Sequence, residues 1–164
     1  MPPKSGASGF ELTKGQTFVE FAMVAALFLL LLFAVMDYGW LMFAQMNVQQ
    51  AIQDGGRFAS TGNHSTDSSG NNLSRINSII QVVQNEVSVP GVNPQNLQIS
   101  SVSGTTGATT VGSAGGPGDT VTLTLVTTLP LFTPLIGQFF PARGYTFTSS
   151  ATFKNEPFDP ANTN

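Results

Sequence analysis

The hydrophobic pattern opens with a continuous apolar run near the start of the chain. Residues 21–36 contain no charged or strongly polar side chain, and after Asp37 the run resumes as far as Met46. At about 1.5 Å per residue, a helix over residues 18–43 exceeds the roughly 30 Å of a bilayer's hydrocarbon core. Because lipid offers backbone groups no other partner, the run predicts a transmembrane helix.

Beyond residue 46 the pattern is that of an amphipathic helix. Its apolar positions are Met46, Val48, Ala51, Ile52 and Phe58. Gly55 and Gly56 weaken the last turn, and we predict one helix over about 16–59. A buried core helix is the alternative, but 164 residues leave too little other apolar surface to enclose it. No small-residue cleavage site follows the run, so a removed secretory signal is not indicated.

The remaining chain, 60–164, alternates helical and strand patterns and predicts a small exported α+β domain. Apolar side chains recur every three or four residues from Leu73 to Val87, which indicates an amphipathic helix. Strand patterns cover 97–102, 119–129 and 145–154, and the glycine-rich stretch between the first two is predicted to be a loop. The core faces are expected to carry Val121, Leu123 and Leu125 in one strand and Tyr145, Phe147 and Ser149 in another. The predicted fold class is therefore α+β: a long N-terminal transmembrane helix, then one helix on a three-stranded antiparallel sheet.

The first fifteen residues form a flank of different composition. Residues 1–15 are rich in glycine, serine and proline and include Lys4 and Lys14. We predict that this flank is unstructured, and its two lysines favour a cytoplasmic N-terminus. The domain over 60–164 would then lie on the opposite side of the membrane.

Composition excludes several classes of function. Charged residues make up 9% of the chain, the formal net charge is −3, and there is no cysteine. Six scattered basic residues do not form a nucleic-acid-binding patch, and a chain without thiols has no thiolate metal site or thiol nucleophile. The single histidine, His64, lies in a polar loop, and Glu156 and Asp159 lie between prolines near the end. We therefore predict no enzyme, no cofactor, no metal site and no small-molecule substrate.

The start of the apolar run carries one distinctive spacing. Glu20 lies five residues beyond Gly15, and apolar side chains follow it. This arrangement resembles the prepilin-type leader, which a prepilin peptidase removes by cutting after a glycine. The resemblance implies that Gly15 and Gln16 flank the processing site and that Glu20 is the fifth residue of the mature chain.

A longer stretch resembles the TadE-like minor pseudopilins of the tight-adherence (Flp-type) pilus. The matching features are Val19-Glu20-Phe21, Asp37-Tyr38-Gly39 and Arg57-Phe58-Ala59, and in the far domain Pro117 to Val121, Leu129 to Pro141 and Asn155 to Pro157. The chain departs from the family at Ala25-Ala26, where an early proline is common. The resemblance implies a protein of the bacterial inner membrane that passes once through it and acts in pilus assembly or initiation. The implied partners are the membrane, a prepilin peptidase, other pilins or pseudopilins and platform proteins.

The resemblance also implies roles for three residues in assembly or recognition: Glu20, Phe21 and Asp37. A carboxylate in lipid is costly unless it is paired, and in pilins the partner of the glutamate is the N-terminal ammonium of an adjacent subunit. Asp37 either marks the outer membrane boundary beside interfacial aromatic residues or forms a second polar contact between subunits. The alternative function is a signal-anchored exported binding or adhesive domain that is not cleaved at Gly15.

Overall fold

The computed structural model describes residues 9–138 and 140–159 and has the predicted α+β fold. Its helices are α1 (Gly9–Ser60), α2 (Arg75–Glu86) and the single turn α3 (Pro134–Gly137), and 3₁₀ turns cover Pro94–Asn96 and Pro141–Arg143. Its strands are β1 (Gln98–Val102), β2 (Thr109–Val111), β3 (Thr120–Pro130) and β4 (Gly144–Lys154). The chain divides into two compact units, Met1–Gly39 and Trp40–Asn164.

Helix α1 is longer than the sequence predicts. It contains 52 residues, ends at Ser60 and begins at Gly9, so the prediction of an unstructured flank is wrong for residues 9–15. Glu, Leu and Lys in this stretch are good helix formers, and adding a turn to an existing helix avoids the cost of nucleation. Lys4 and the rest of residues 1–8 lie outside the described residues.

Helix α2 confirms the predicted amphipathic helix, with its buried face rotated slightly. Ser74 caps the helix, because its side chain accepts a hydrogen bond from the Asn77 amide. The buried positions are Arg75, Ser78, Ile79 and Val83. Ile76, Ile80 and Val87 of the predicted apolar stripe are only partly buried. The true buried face includes one basic and one polar residue, which an apolar pattern does not detect.

The sheet has four antiparallel strands in the order β2-β1-β3-β4, one more than predicted. The three predicted strands are confirmed to within about one residue at most ends. The additional strand, β2, lies in the stretch predicted to be a loop and pairs with β1 over three residues. All three residues of β2 are exposed, so the stretch has no alternation of buried and exposed positions to mark it as a strand.

The core of the second unit lies between one face of the sheet and the two helices. Val121, Leu123 and Leu125 are fully buried, and Phe147 and Ser149 on β4 are also buried, as the alternation predicts. From α1 the core takes Ala44, Val48, Ala51 and Ile52. The opposite sheet face is uncharged apart from Lys154 and carries hydroxyl pairs across the strands, Thr122 with Thr152 at 3.0 Å and Thr128 with Thr146 at 2.8 Å.

Candidate functional site

The part of the first unit that the structure describes presents an exposed apolar helix surface. The large apolar side chains between Phe18 and Met36 are 38–71% exposed. Among the described residues, α1 is the one helix long and apolar enough to cross a membrane, and its most apolar window is not buried at all. Water-soluble proteins rarely expose an apolar patch of more than a few hundred Å². This surface therefore requires lipid or other apolar helices around it.

The predicted processing residues lie at the start of this surface, inside the helix. Gly15, Gln16 and Glu20 are all exposed, and the Gln16 side-chain amide donates a 3.1 Å hydrogen bond to the Glu20 carboxylate one turn later. A methyl group added at Gly15 would meet nothing within 4 Å. The backbone at the predicted cut is therefore accessible from the side but is held in helical geometry.

The three predicted assembly residues occupy different environments. Glu20 and Phe21 lie side by side on α1, where Phe21 is 68% exposed. Asp37 lies 17 residues beyond Glu20, about 25 Å along the helix axis, and is only 3% exposed. Its neighbour Tyr38 is 63% exposed. The structure thus does not bring Glu20 and Asp37 together within one chain.

Comparison with known protein families finds a match that falls on α1. Residues 15–57 match the model of the TadE-like protein family. The match includes all five predicted site residues and confirms the resemblance over 43 of the 164 residues. No match was found among curated proteins or among solved structures.

The TadE-like segment begins at Gly15 and ends at Arg57, within helix α1. The match is to the same family whose resemblance implies a protein associated with tight-adherence pili. The apolar helix of the segment fits a single-pass membrane protein. The far domain lies outside the match, so its family-like motifs rest on sequence resemblance alone.

Two of those far-domain motifs contribute a polar side chain each, Asp119 and Asn155, to a cluster around the glycine-rich loop. The Asp119 carboxylate accepts hydrogen bonds from the amides of Gly104 at 2.9 Å and Gly116 at 2.7 Å. These bonds, with a smaller contribution from the charge of Arg75, hold the pKa of Asp119 below its usual 3.8. The side-chain amide of Asn155 donates hydrogen bonds to the backbone carbonyls of Ala114 at 2.9 Å and Gly116 at 2.8 Å. Both side chains therefore fix the glycine-rich loop.

Arg75 is the residue of this cluster that the sequence analysis did not identify. Its guanidinium donates to the Ala59 carbonyl in the last turn of α1 at 2.6 Å and to the Gly115 carbonyl, and it lies 4.6 Å from the centre of the Phe158 ring. Burial lowers the pKa of Arg75. The sequence could have indicated its burial, because Arg75 lies four positions before Ile79 and therefore on the same, buried face of α2. Arg75 thus ties the last turn of α1, two residues beyond the TadE-like segment, to the glycine-rich loop.

Two other residues that the sequence analysis considered, His64 and Glu156, make contacts with backbone carbonyls. His64 Nδ1 lies 3.0 Å from the Leu73 carbonyl, and the Glu156 backbone amide donates to the Ser60 carbonyl at 2.8 Å. Within residues 9–138 and 140–159, no three His, Asp or Glu side chains lie close enough together to hold a metal ion. The site that stands out is thus the exposed apolar surface of α1 with Gly15 to Glu20 at its start.

Proposed function

We propose that this chain is a pseudopilin-like component of a tight-adherence pilus or a related secretion assembly. The observation that carries the proposal is the exposed apolar surface of α1, which has a glutamate near its start and lies in a TadE-like segment. In this proposal α1 first spans the inner membrane, with the N-terminus in the cytoplasm. It later leaves the lipid by packing against the helices of other pilins or pseudopilins on the assembly platform.

A prepilin peptidase cuts between Gly15 and Gln16 in this proposal. Proteases bind the cleaved bond in an extended geometry, so the first turns of α1 must unwind locally. Gly15 aids this step, because glycine costs a helix about 1 kcal/mol relative to alanine. Its missing side chain also leaves the backbone uncovered on that side. Cutting removes Lys4 and Lys14, the two charges that hold the N-terminus in the cytoplasm.

Glu20 is the proposed contact between subunits. In the uncut chain its carboxylate accepts a hydrogen bond from the Gln16 side chain, and cutting adds an ammonium group at Gln16. Among apolar helices a lone carboxylate is costly, and pairing with the Gln16 ammonium of an adjacent subunit offsets that cost. Incorporation then depends on the charge of Glu20.

The first experiment is the intact mass of the protein extracted from membranes that contain the cognate prepilin peptidase. We expect a chain that begins at Gln16, and we expect Gly15→Ala to abolish cutting. Gly39→Ala is the matched control, because it adds the same methyl group to the same helix, again with nothing within 4 Å. A wild-type chain that keeps Met1 or Pro2 contradicts processing and favours an uncleaved, signal-anchored binding or adhesive domain.

The second experiment separates assembly from processing through Glu20→Gln and Glu20→Ala. Both variants are expected to be cut normally, while the amount incorporated into the pilus or its assembly complex falls about tenfold or more, because one partner of a buried ion pair is lost. Glu86→Gln changes an exposed carboxylate on α2 and serves as the control. Incorporation of the Glu20 variants at wild-type level, measured by immunoblot of sheared pili and membranes, would show that this contact is wrong.

A further inference from the structure

The connection between β3 and β4 exposes aromatic side chains that the domain core does not use. Residues 131–143 include Phe132, which is 69% exposed, and Phe140, which is 39% exposed. Prolines at 134 and 141 begin short helical turns within the connection. The second unit thus exposes two phenylalanines within one connection.

This connection is anchored to the residue at which the second unit begins. The Phe132 ring packs edge-to-face on Trp40, with ring centres 5.2 Å apart and planes at 63°. Trp40 also contacts Phe43 at 5.9 Å, and it directly follows Gly39, the last residue of the apolar first unit. Trp40 is the only tryptophan of the chain. Tryptophan at the end of a membrane span prefers the headgroup level of the bilayer.

The charged residues of the chain around this connection also fit the headgroup level of a bilayer. From Thr120 to Lys154 the sequence contains no Asp or Glu, and its only charges are Arg143 and Lys154. Arg143 lies at the end of the connection, is exposed and has a positive φ of 54°. An exposed cation beside exposed aromatic rings fits the phosphate and acyl boundary of a bilayer that contains anionic lipid.

We propose that the 131–143 connection is a second membrane contact, in which Phe132 and Phe140 enter the interfacial layer of the leaflet that faces the exported domain. The partner of these two side chains is phospholipid. The inference rests on the transmembrane placement of α1 under the proposed function. It adds a contact between the exported domain and the bilayer to the one that α1 makes.

The experiment uses the full chain in nanodiscs of phosphatidylethanolamine and phosphatidylglycerol. Because the chain has no cysteine, single cysteines for spin labels are introduced without other changes. The test positions are Phe132→Cys and Phe140→Cys. Leu30→Cys, in the apolar run, and Val111→Cys, 81% exposed on β2, report lipid and water respectively. The measurement is the accessibility of each label to oxygen, which concentrates in lipid, and to a water-soluble nickel chelate.

We expect the labels at 132 and 140 to collide with the nickel chelate at least about twofold less than the label at 111, and with oxygen at least about twofold more. A water-like response at both positions overturns the proposal. Protection from both reagents also overturns it, because that result indicates cover by protein. If the label at 30 is itself accessible to water, the transmembrane placement of α1 is wrong. If the label at 30 lies in lipid while the labels at 132 and 140 are accessible to water, only the second membrane contact is wrong.

Discussion

At the scale of single residues, the two glycines in the last turns of α1 set how closely the helix approaches the rest of its unit. A Cβ added at Gly55 would overlap a methyl group of Val83 on α2, and one added at Gly56 would overlap the Phe153 ring on β4. The sequence suggests only that these glycines weaken the helix. The structure shows that the lost helix stability is offset by close packing on two neighbouring elements.

Gly55→Ala is therefore expected to destabilise the domain, although alanine is the better helix former. Val83 is fully buried, and a β-branched side chain in a helix has one strongly preferred rotamer, so it cannot turn aside. We expect the free energy of unfolding to fall by about 1–3 kcal/mol, measured by denaturant titration of the full chain in detergent. Gly39→Ala, on the same helix in open space, should show no loss. Equal stability of the two variants would contradict the close approach.

Arg75 shows why part of the candidate site could not be predicted. Gly15, Gln16 and Glu20 are adjacent in sequence, so one short pattern reveals them. Arg75 acts on carbonyl groups 16 and 40 residues away, at Ala59 and Gly115. Such contacts depend on where the chain folds back, and the residues next to Arg75 in the sequence do not show this.

At the scale of elements, the strength of the sequence signal follows how much each element buries. Strand β3 alternates buried and exposed side chains along most of its length, and its prediction is confirmed. Strand β2 buries none of its side chains, and the turns of α1 before Gly15 extend a helix that is already formed. Strand β2 forms by pairing with a neighbouring strand, and the first turns of α1 form by extension of the helix. Neither process requires apolar residues at regular spacing, so neither can be detected from the hydrophobic pattern.

Strands β2 and β3 should differ in the rate at which their backbone amides exchange hydrogen. β3 is paired on both sides, whereas β2 pairs only with β1 and only through Thr109, Thr110 and Val111. We expect the amides of β2 to exchange at least about tenfold faster than those of β3, because an exposed edge of three residues opens locally without disturbing the core. Mass spectrometry of peptides from the labelled protein measures both strands. Exchange in β2 as slow as in β3 would show that β2 is covered by something further.

At the scale of the whole molecule, the two compact units differ in whether their apolar side chains are buried or exposed. Every member of the buried apolar cluster, from Ala44 to Phe147, belongs to the second unit. The first unit contributes the exposed apolar surface of α1. The low charge content therefore has two origins, an apolar span in one unit and hydroxyl and amide side chains in the other.

A chain that begins at Trp40 is accordingly expected to fold in water. It keeps the whole apolar cluster and loses most of the exposed apolar helix, so circular dichroism should show one cooperative unfolding transition. A chain that begins at residue 60 is the control. It lacks Ala44, Val48, Ala51 and Ile52, and it should fail to give that transition. A Trp40 chain without cooperative unfolding would show that the second unit is not independent.

The hydrogen bonds at the end of α1 determine how the domain responds to mechanical tension. A pull along α1 reaches Ala59 and Ser60, whose carbonyls accept hydrogen bonds from Arg75 at 2.6 Å and from the Glu156 amide at 2.8 Å. The force is thereby shared among α2, the segment after β4 and the covalent chain. Because the protein has no cysteine, no disulfide protects this junction. Under the proposed function, these hydrogen bonds, centred on Arg75, resist the tension that a pilus would transmit along α1.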